Sequence, residues 1–221
     1  MIGIIVPAHN EQYFLDDCIK SLVAAASHEE LGGEAVEILI MLDDCSDDSA
    51  AVAQAHGVYT LACGYRNVGM TRAAGAQLML ERGARWLAFT DADSVVPYAW
   101  LAEQMSAKAD AVCGIVQVKD WSEHPEQVRQ RYDALYRPVD DHRHVHGANL
   151  GVSSSAYLRA GGFKALAAHE DVHLVEDLQR TGAHIVWTAR NSVTTSARKH
   201  FRCKEGFGDY LNSLATRTLL G

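Results

Sequence analysis

Two aspartates one residue apart, Asp91 and Asp93, follow the apolar run Trp86-Leu87-Ala88-Phe89. Carboxylates at i and i+2 around a strand end can reach one hard cation together with phosphate oxygens. Mg2+ or Mn2+ prefers such oxygen ligands and usually keeps some water. The plainer alternative is a solvated turn in which Ser94 caps the next helix. Asp43 and Asp44 end a second apolar run, where a carboxylate can accept from a base N–H or a ribose hydroxyl. Asp47 and Asp48, just beyond, suit the positive end of a helix. Glu170 and Asp171 precede the helical pattern 172–180. A carboxylate at a helix start facing a cleft suits a general base, and an acidic first helical turn is the alternative. Glu176 and Asp177, within that helix, read as a solvated face.

These side chains need elements to hold them. Residues 2–6 form a β-branched run broken only by Gly3, as expected of a strand covered on both faces. Further strands are expected at 37–42, 58–62, 86–90 and 111–118. Helices are expected at 11–26, from Ser46 or Asp47 to about 56, at 68–81 (closed by Gly83), and from Pro97. This alternation implies βαβ units and a mainly parallel sheet, whose ligands gather beyond the carboxyl ends of the strands. Residues 7–11, Asp43-Asp44 and 91–93 all lie at such ends. The last third is less regular, with a helix at 123–137, a His-rich loop at 138–146 and a strand at 147–152. A break at Gly161-Gly162 precedes the helix at 172–180, short strands at 184–187 and 192–195, and a helix at 205–220. We expect one domain over 1–221, with a nucleotide-binding half (1–120) and an acceptor-binding half (121–221).

Composition narrows the classes. The chain has 221 residues, is 48% hydrophobic and 22% charged, and carries a formal charge of −8. The first three values fit a globular chain with a sizeable core, and the acidic balance argues against broad nucleic-acid binding. The five cysteines include no CxxC pair, which fits a reduced, cytoplasmic chain. No apolar stretch approaches the length of a membrane span, and Met1–Val6 lacks the basic flank of a signal peptide.

Taken in order, the motifs resemble those of the family 2 glycosyltransferases along nearly the whole chain. Ile4-Ile5-Val6-Pro7-Ala8-His9-Asn10-Glu11 resembles the opening strand and "PxxNE" turn. Asp43-Asp44-Cys45-Ser46-Asp47-Asp48-Ser49 resembles "DDxSxDxT", with Cys45 where Gly is frequent. Asn67-Val68-Gly69-Met70-Thr71-Arg72-Ala73-Ala74-Gly75 resembles "NxGxxxARNxG", with Ala74 where Asn is usual. Thr90-Asp91-Ala92-Asp93 resembles the metal motif. Gly147-Ala148-Asn149-Leu150, then Gly161-Gly162-Phe163, resemble "GxN…GGF", and Glu170-Asp171 with Leu174 resembles "EDxxL".

The resemblance implies an α/β fold of the GT-A type, a Rossmann-like, mainly parallel sheet flanked by helices. It implies a nucleotide-diphosphate sugar donor (UDP or GDP), a hydroxyl acceptor of unknown kind, and Mg2+ or Mn2+. Pro7, His9 and Glu11 would line the base and ribose, Asp44 (with Asp43 beside it) would accept from the base, and Arg72 would contact nucleotide or phosphate. Asp91 would sit near ribose and metal, with Asp93 the direct ligand. Asn149 would face the acceptor or transferred sugar. Asp171, supported by Glu170, would be the base of an inverting transfer. The processive members' QxxRW motif and membrane helices are missing from this sequence, so a single addition is expected. His200 would supply a third metal ligand, an ordinary basic surface segment being the alternative. Arg198 and Lys199 would otherwise bind diphosphate, or anionic lipid at a peripheral membrane contact. Two other classes compete: a nucleotidyltransferase of related fold, and a non-catalytic nucleotide-binding module. The first would place a Gly-rich basic loop after the first strand, where this chain has residues 7–11 with no Lys or Arg.

Overall fold

The structure, a computed structural model, describes residues 1–199 and 206–216. His200, the expected third metal ligand, lies outside the described residues. In chain order the elements are β1 (Ile2–Ala8), α1 (Leu15–Ala26), a single 3-10 turn (Glu29–Leu31), β2 (Val36–Asp43), α2 (Ser49–Ala55), β3 (Tyr59–Cys63), α3 (Val68–Glu81) and β4 (Trp86–Phe89). Then come β5 (Ser94–Val95), α4 (Trp100–Ser106), β6 (Ala111–Val118), α5 (Glu126–Leu135), β7 (Leu150–Ser153), α6 (Ser154–Ala160), α7 (Glu170–Arg180), β8 (Ile185–Thr195) and α8 (Phe207–Thr216).

One eight-stranded sheet, ordered β3-β2-β1-β4-β7-β6-β8-β5, runs through both halves. The donor-side strands β3, β2, β1 and β4 are parallel, as the alternating pattern predicts. The sheet is mixed beyond them, because β7 is antiparallel to both β4 and β6. The cause lies in the connection. After β6 the chain stays at that strand's carboxyl end through α5 and the His-rich loop, and Asn149 Nδ2 donates to Ile115 O at 2.8 Å. The chain therefore re-enters the sheet from that end and must run backwards.

Alternation along β1 feeds two cores. Ile2, Ile4 and Val6 pack with Leu15, Ile19 and Leu22 of α1 and Trp100 of α4. Ile5 points the other way, to Met41, Met79 of α3, and residues of α6 and α7. A third cluster, with Val128, Tyr132, Leu211 and Leu214, packs α5 against α8 over the end of β6. Helix α3 spans the residues expected of it, and Asn67 caps it by accepting from Met70 N at 2.9 Å. The chain also contains α6, which the sequence reading passed over although Ser153 caps it and Gly161 ends it in the left-handed region. The two short strands expected after α7 are one strand. A bulge joins them, since Gly114 pairs with Thr188 and Ile115 with Ser192.

Helix α3 lies close enough to the sheet that a Cβ on Gly75 would stand 2.6 Å from Ile5 Cγ2. Ile5 is fully buried and stiff at χ1, so it cannot turn away. Gly75→Val is expected to destabilise the fold by about 2 kcal/mol or more through overpacking, read as a lower urea midpoint at unchanged m-value.

Candidate active site

The loops leaving β1 and β2 are tied together by their own polar side chains. Asn10 Oδ1 accepts from Ser46 N at 2.8 Å and Asp47 N at 3.3 Å. Ser49 Oγ accepts from Glu11 N at 2.8 Å, and Asp47 Oδ2 accepts from Gln12 N at 3.0 Å. His9 Nδ1 lies 2.6 Å from Asp43 O. Asp43 is buried and accepts from Arg66 N at 2.8 Å and Asn67 N at 3.2 Å, which fixes the entry to α3. Asp44 turns to the rim, where it accepts from Arg66 Nε at 2.7 Å. Asn10, Asp44, Arg66 and His169 all hold left-handed backbone, with φ between 51 and 60°. Such strain in non-glycine residues persists only where surrounding bonds over-determine it, and these four stand in loops around one cleft.

The floor of that cleft is a buried arginine. Arg72, on α3, bridges Asp91 at the end of β4 and Glu170 at the start of α7. Its side chain is 4% exposed and that of Glu170 5%. Burial works against the guanidinium charge, yet Asp91, Glu170 and Asp171 together hold Arg72 above its ordinary value. Burial raises Glu170, opposed by Arg72 and reinforced by Asp171. Gly147 lies against the guanidinium plane, so close that a Cβ there would come 2.5 Å from Arg72 Nη2. Its N–H donates to Asp171 Oδ2 at 2.7 Å, which orients that carboxylate at the cleft wall. Arg72 is thus a strut beneath the site, with both terminal nitrogens already committed.

Asp93 stands beside Asp91 and Glu11. Burial pushes its carboxyl up to about 7, opposed by Arg198, with Asp91 and Glu11 adding to the rise. Its neighbour Ser94 opens β5, which pairs with the end of β8 (Ser94 with Thr195), and this brings residues 196–199 over Asp93. Arg198 therefore turns inward onto Glu11 and Asp93 and is no part of a free basic surface for lipid. Among the described residues no three His, Cys, Asp or Glu side chains form a metal cage. Two carboxylates do fit a hard divalent cation that draws its remaining oxygens from a diphosphate and water. Asp93 is raised chiefly by burial, and a cation beside it would favour its charged form.

The cleft holds about 830 Å³. Pro7, His9, Glu11, Asp43, Arg72, Asp91, Asp93, Glu170 and Asp171 all line it, so these expected site residues come together. Asn149 does not. It is 1% exposed, its Nδ2 donates to Ile115 O and Asn191 O, and its Oδ1 accepts from Trp100 Nε1. The amide spans the irregular joint between β6, β7 and β8, where unpaired backbone needs a partner, and so is spent in the core. Asp177, expected on a solvated face, is instead buried and paired with Lys164 at 2.5 Å and Arg180 at 2.8 Å. The wall facing the carboxylates was missed in the sequence. It contains Tyr136, His144, His146 and Phe207. Tyr136 stacks on His144 with centroids 4.2 Å apart, and its hydroxyl lies 2.9 Å from His146 Nε2. The histidines at 142, 144 and 146 were the available signal: they alternate with a period of two, yet the segment is polar and forms no strand.

Sheet order, flanking helices and an acidic cleft at the strand ends define the GT-A class. TarS of S. aureus, solved with UDP-GlcNAc, superposes with a TM-score of 0.69 at 11% identity, over 96% of this chain and 64% of that one. A mannosyltransferase of Pyrobaculum calidifontis with GDP-Man and Mn2+ gives 0.65 at 15% identity, over 90% and 57%. GalNAc-T7 with UDP, GalNAc and Mn2+ gives 0.66 at 13%, over 88% and 43%. The chain thus spans less than two thirds of the length of these structures. No curated protein matches its sequence. The family model for glycosyl transferase family 2 matches residues 3–166, well over half of the sequence. The chain belongs to that family. No helix among the described residues is long and apolar enough to cross a membrane.

Two outcomes follow from this geometry. Asn149→Ala would leave Trp100 Nε1 and two carbonyls unpaired inside the protein, and is expected to lower unfolding stability by about 3 kcal/mol in urea titrations. The second concerns pH. Burial, with His144 and His142 adding, pushes His146 down to about 3. The unfolded chain binds that proton from about pH 6.5 downward while the folded chain does not, so stability falls as pH drops from 7 toward 5. A Tm–pH profile should therefore be shallower over that window for His146→Gln than for the native chain.

Proposed function

We propose that this chain transfers a sugar from a nucleoside-diphosphate donor to an acceptor hydroxyl in one inverting displacement. The observation that carries the reading is the bridge by Arg72 from Asp91 to Glu170, which holds the two acidic motifs against one cleft at fixed separation. Family membership and the nucleotide-sugar complexes of similarly folded proteins support the donor class, UDP- or GDP-linked. Residues 1–120 supply the donor-binding half of a single domain and residues 121–221 the acceptor-binding half.

His9, Glu11 and Asp43 line the cleft where base and ribose would lie, and Asp44 stands at its rim. Asp93, with Asp91, would hold Mg2+ or Mn2+. That ion would offset the charge developing on the diphosphate as it leaves. Asp171 is the base. As the acceptor oxygen bonds to the anomeric carbon, the bond to the β-phosphate oxygen breaks and its electron pair leaves with the nucleoside diphosphate. The acceptor's proton passes to Asp171, which returns it to solvent. Gly147 N–H points the carboxylate. Glu170, committed to Arg72, supports it without meeting the substrate.

Asp171→Asn retains an oxygen for the Gly147 N–H and removes the proton acceptor. Transfer from UDP- and GDP-sugars is expected to slow by about 10² to 10⁴ in kcat with donor affinity unchanged. A variant with native turnover, chemistry being rate-limiting, would remove Asp171 from the mechanism. Asp93→Ala should weaken nucleoside-diphosphate binding in Mn2+ while leaving the bare nucleoside unaffected. EDTA should reproduce that loss in calorimetric titrations of the native chain.

A further inference from the structure

Arg198 has no task in the transfer reaction as read above, yet it is among the most firmly held side chains in the cleft. Its Nη1 and Nη2 donate to the two oxygens of Glu11, each at 2.6 Å, and Nη2 lies 3.2 Å from Asp93 Oδ2. The Phe14 ring packs on its guanidinium, 5.0 Å from Cζ to centroid. Ser196 Oγ accepts from its backbone N–H at 3.2 Å. The side chains of Glu11 and Asp93 are only 11% and 15% exposed. Carboxylates so enclosed are costly without a cation beside them, and in the ligand-free fold the guanidinium is that cation.

A divalent ion on Asp93 would share that carboxylate with the guanidinium on its Oδ2. Two positive centres a few ångströms apart on one buried carboxylate repel each other, so the guanidinium weakens the hold of Asp93 on a metal. The arriving donor offers the arginine a second partner of the right shape. A planar guanidinium binds phosphate oxygens in the same two-pronged way it binds a carboxylate. The backbone around Arg198 is held on both sides, Ala197 O by His124 Nε2 at 2.6 Å and Lys199 N by Glu123 Oε2 at 2.8 Å, so the change of partners is a movement of the long side chain alone.

We propose that in the ligand-free protein Arg198, paired with Glu11, stands on Asp93 in the place of the divalent cation, and that the nucleoside diphosphate draws it away as the cation binds. The inference rests on the cation site read at Asp91 and Asp93. It makes metal and nucleoside diphosphate cooperative: each binds weakly alone, because only together do they exchange all the partners of Arg198.

The test is Mn2+ binding, followed by the free-ion EPR signal, without nucleotide and then with UDP or GDP. Native chain, Arg198→Met and Arg198→Lys are compared, with far-UV circular dichroism to establish folding. Without nucleotide, Arg198→Met is expected to bind Mn2+ about tenfold or more tightly than the native chain, because the competing charge is gone. The enhancement of Mn2+ binding by nucleoside diphosphate should shrink by a similar factor. Arg198→Lys keeps the charge but cannot span both oxygens, so it should fall between, and it carries the comparison if the methionine variant does not fold. Unchanged or weaker Mn2+ affinity in the nucleotide-free variants, with the nucleotide enhancement intact, would overturn the proposal and leave the cation site standing. No Mn2+ binding by any of the proteins, even with UDP or GDP, would overturn the cation site and the proposal together.

Discussion

A guanidinium buried between two carboxylates is the constraint on which this site depends. Arg72 cannot be solvated where it lies, so Asp91 and Glu170 must stay beside it. That requirement fixes the end of β4 relative to the start of α7, elements far apart in the chain. It also dictates a glycine at 147, because the backbone of the returning chain rests on the face of the guanidinium. The N–H of that glycine then falls where it can orient Asp171. One ionic strut therefore positions a donor-side carboxylate, an acceptor-side helix and the loop between them.

The reversal of β7 is the topological counterpart. Three parallel βα steps carry the polar loops of β1, β2 and β4 to one edge of the sheet. A further parallel strand would have needed the chain to cross back before re-entering. Instead the chain stays at that edge through α5 and the His-rich loop, then runs down β7. The loop therefore lands opposite the carboxylates, and the cleft has an acidic face and an aromatic one. Burial keeps His146 neutral, so the second face adds little charge to a site already crowded with it.

Motif residues divide into those that face the cleft and those that hold it. Asn10 and Asp47 knot two loops together through backbone N–H groups, and Asn149 satisfies the backbone where three strands meet irregularly. Here these short polar motif side chains are partners of the backbone. Arg198 shows the reverse. A residue in an ordinary basic stretch of the sequence closes the acidic pocket, because the pairing of β5 with β8 carries it there.

The elements of the first half were legible in the amino-acid order, and α3 and β6 appear over the very residues expected of them. So was the clustering of Asp43, Asp91 and Asp93 at one end of the sheet, since parallel strands must all end on the same side. Local pattern suffices there because β1, β2 and β4 are covered on both faces and each parallel connection runs through one α-helix. What the sequence left open was every pairing between distant residues. Arg72 meets Glu170 across 98 positions, and Arg198 meets Glu11 across 187. Spacing along a chain records which side chains share a face of one element. Which charges neutralise one another is decided only when strand order brings those faces together, and burial then allows no charge to remain without its partner.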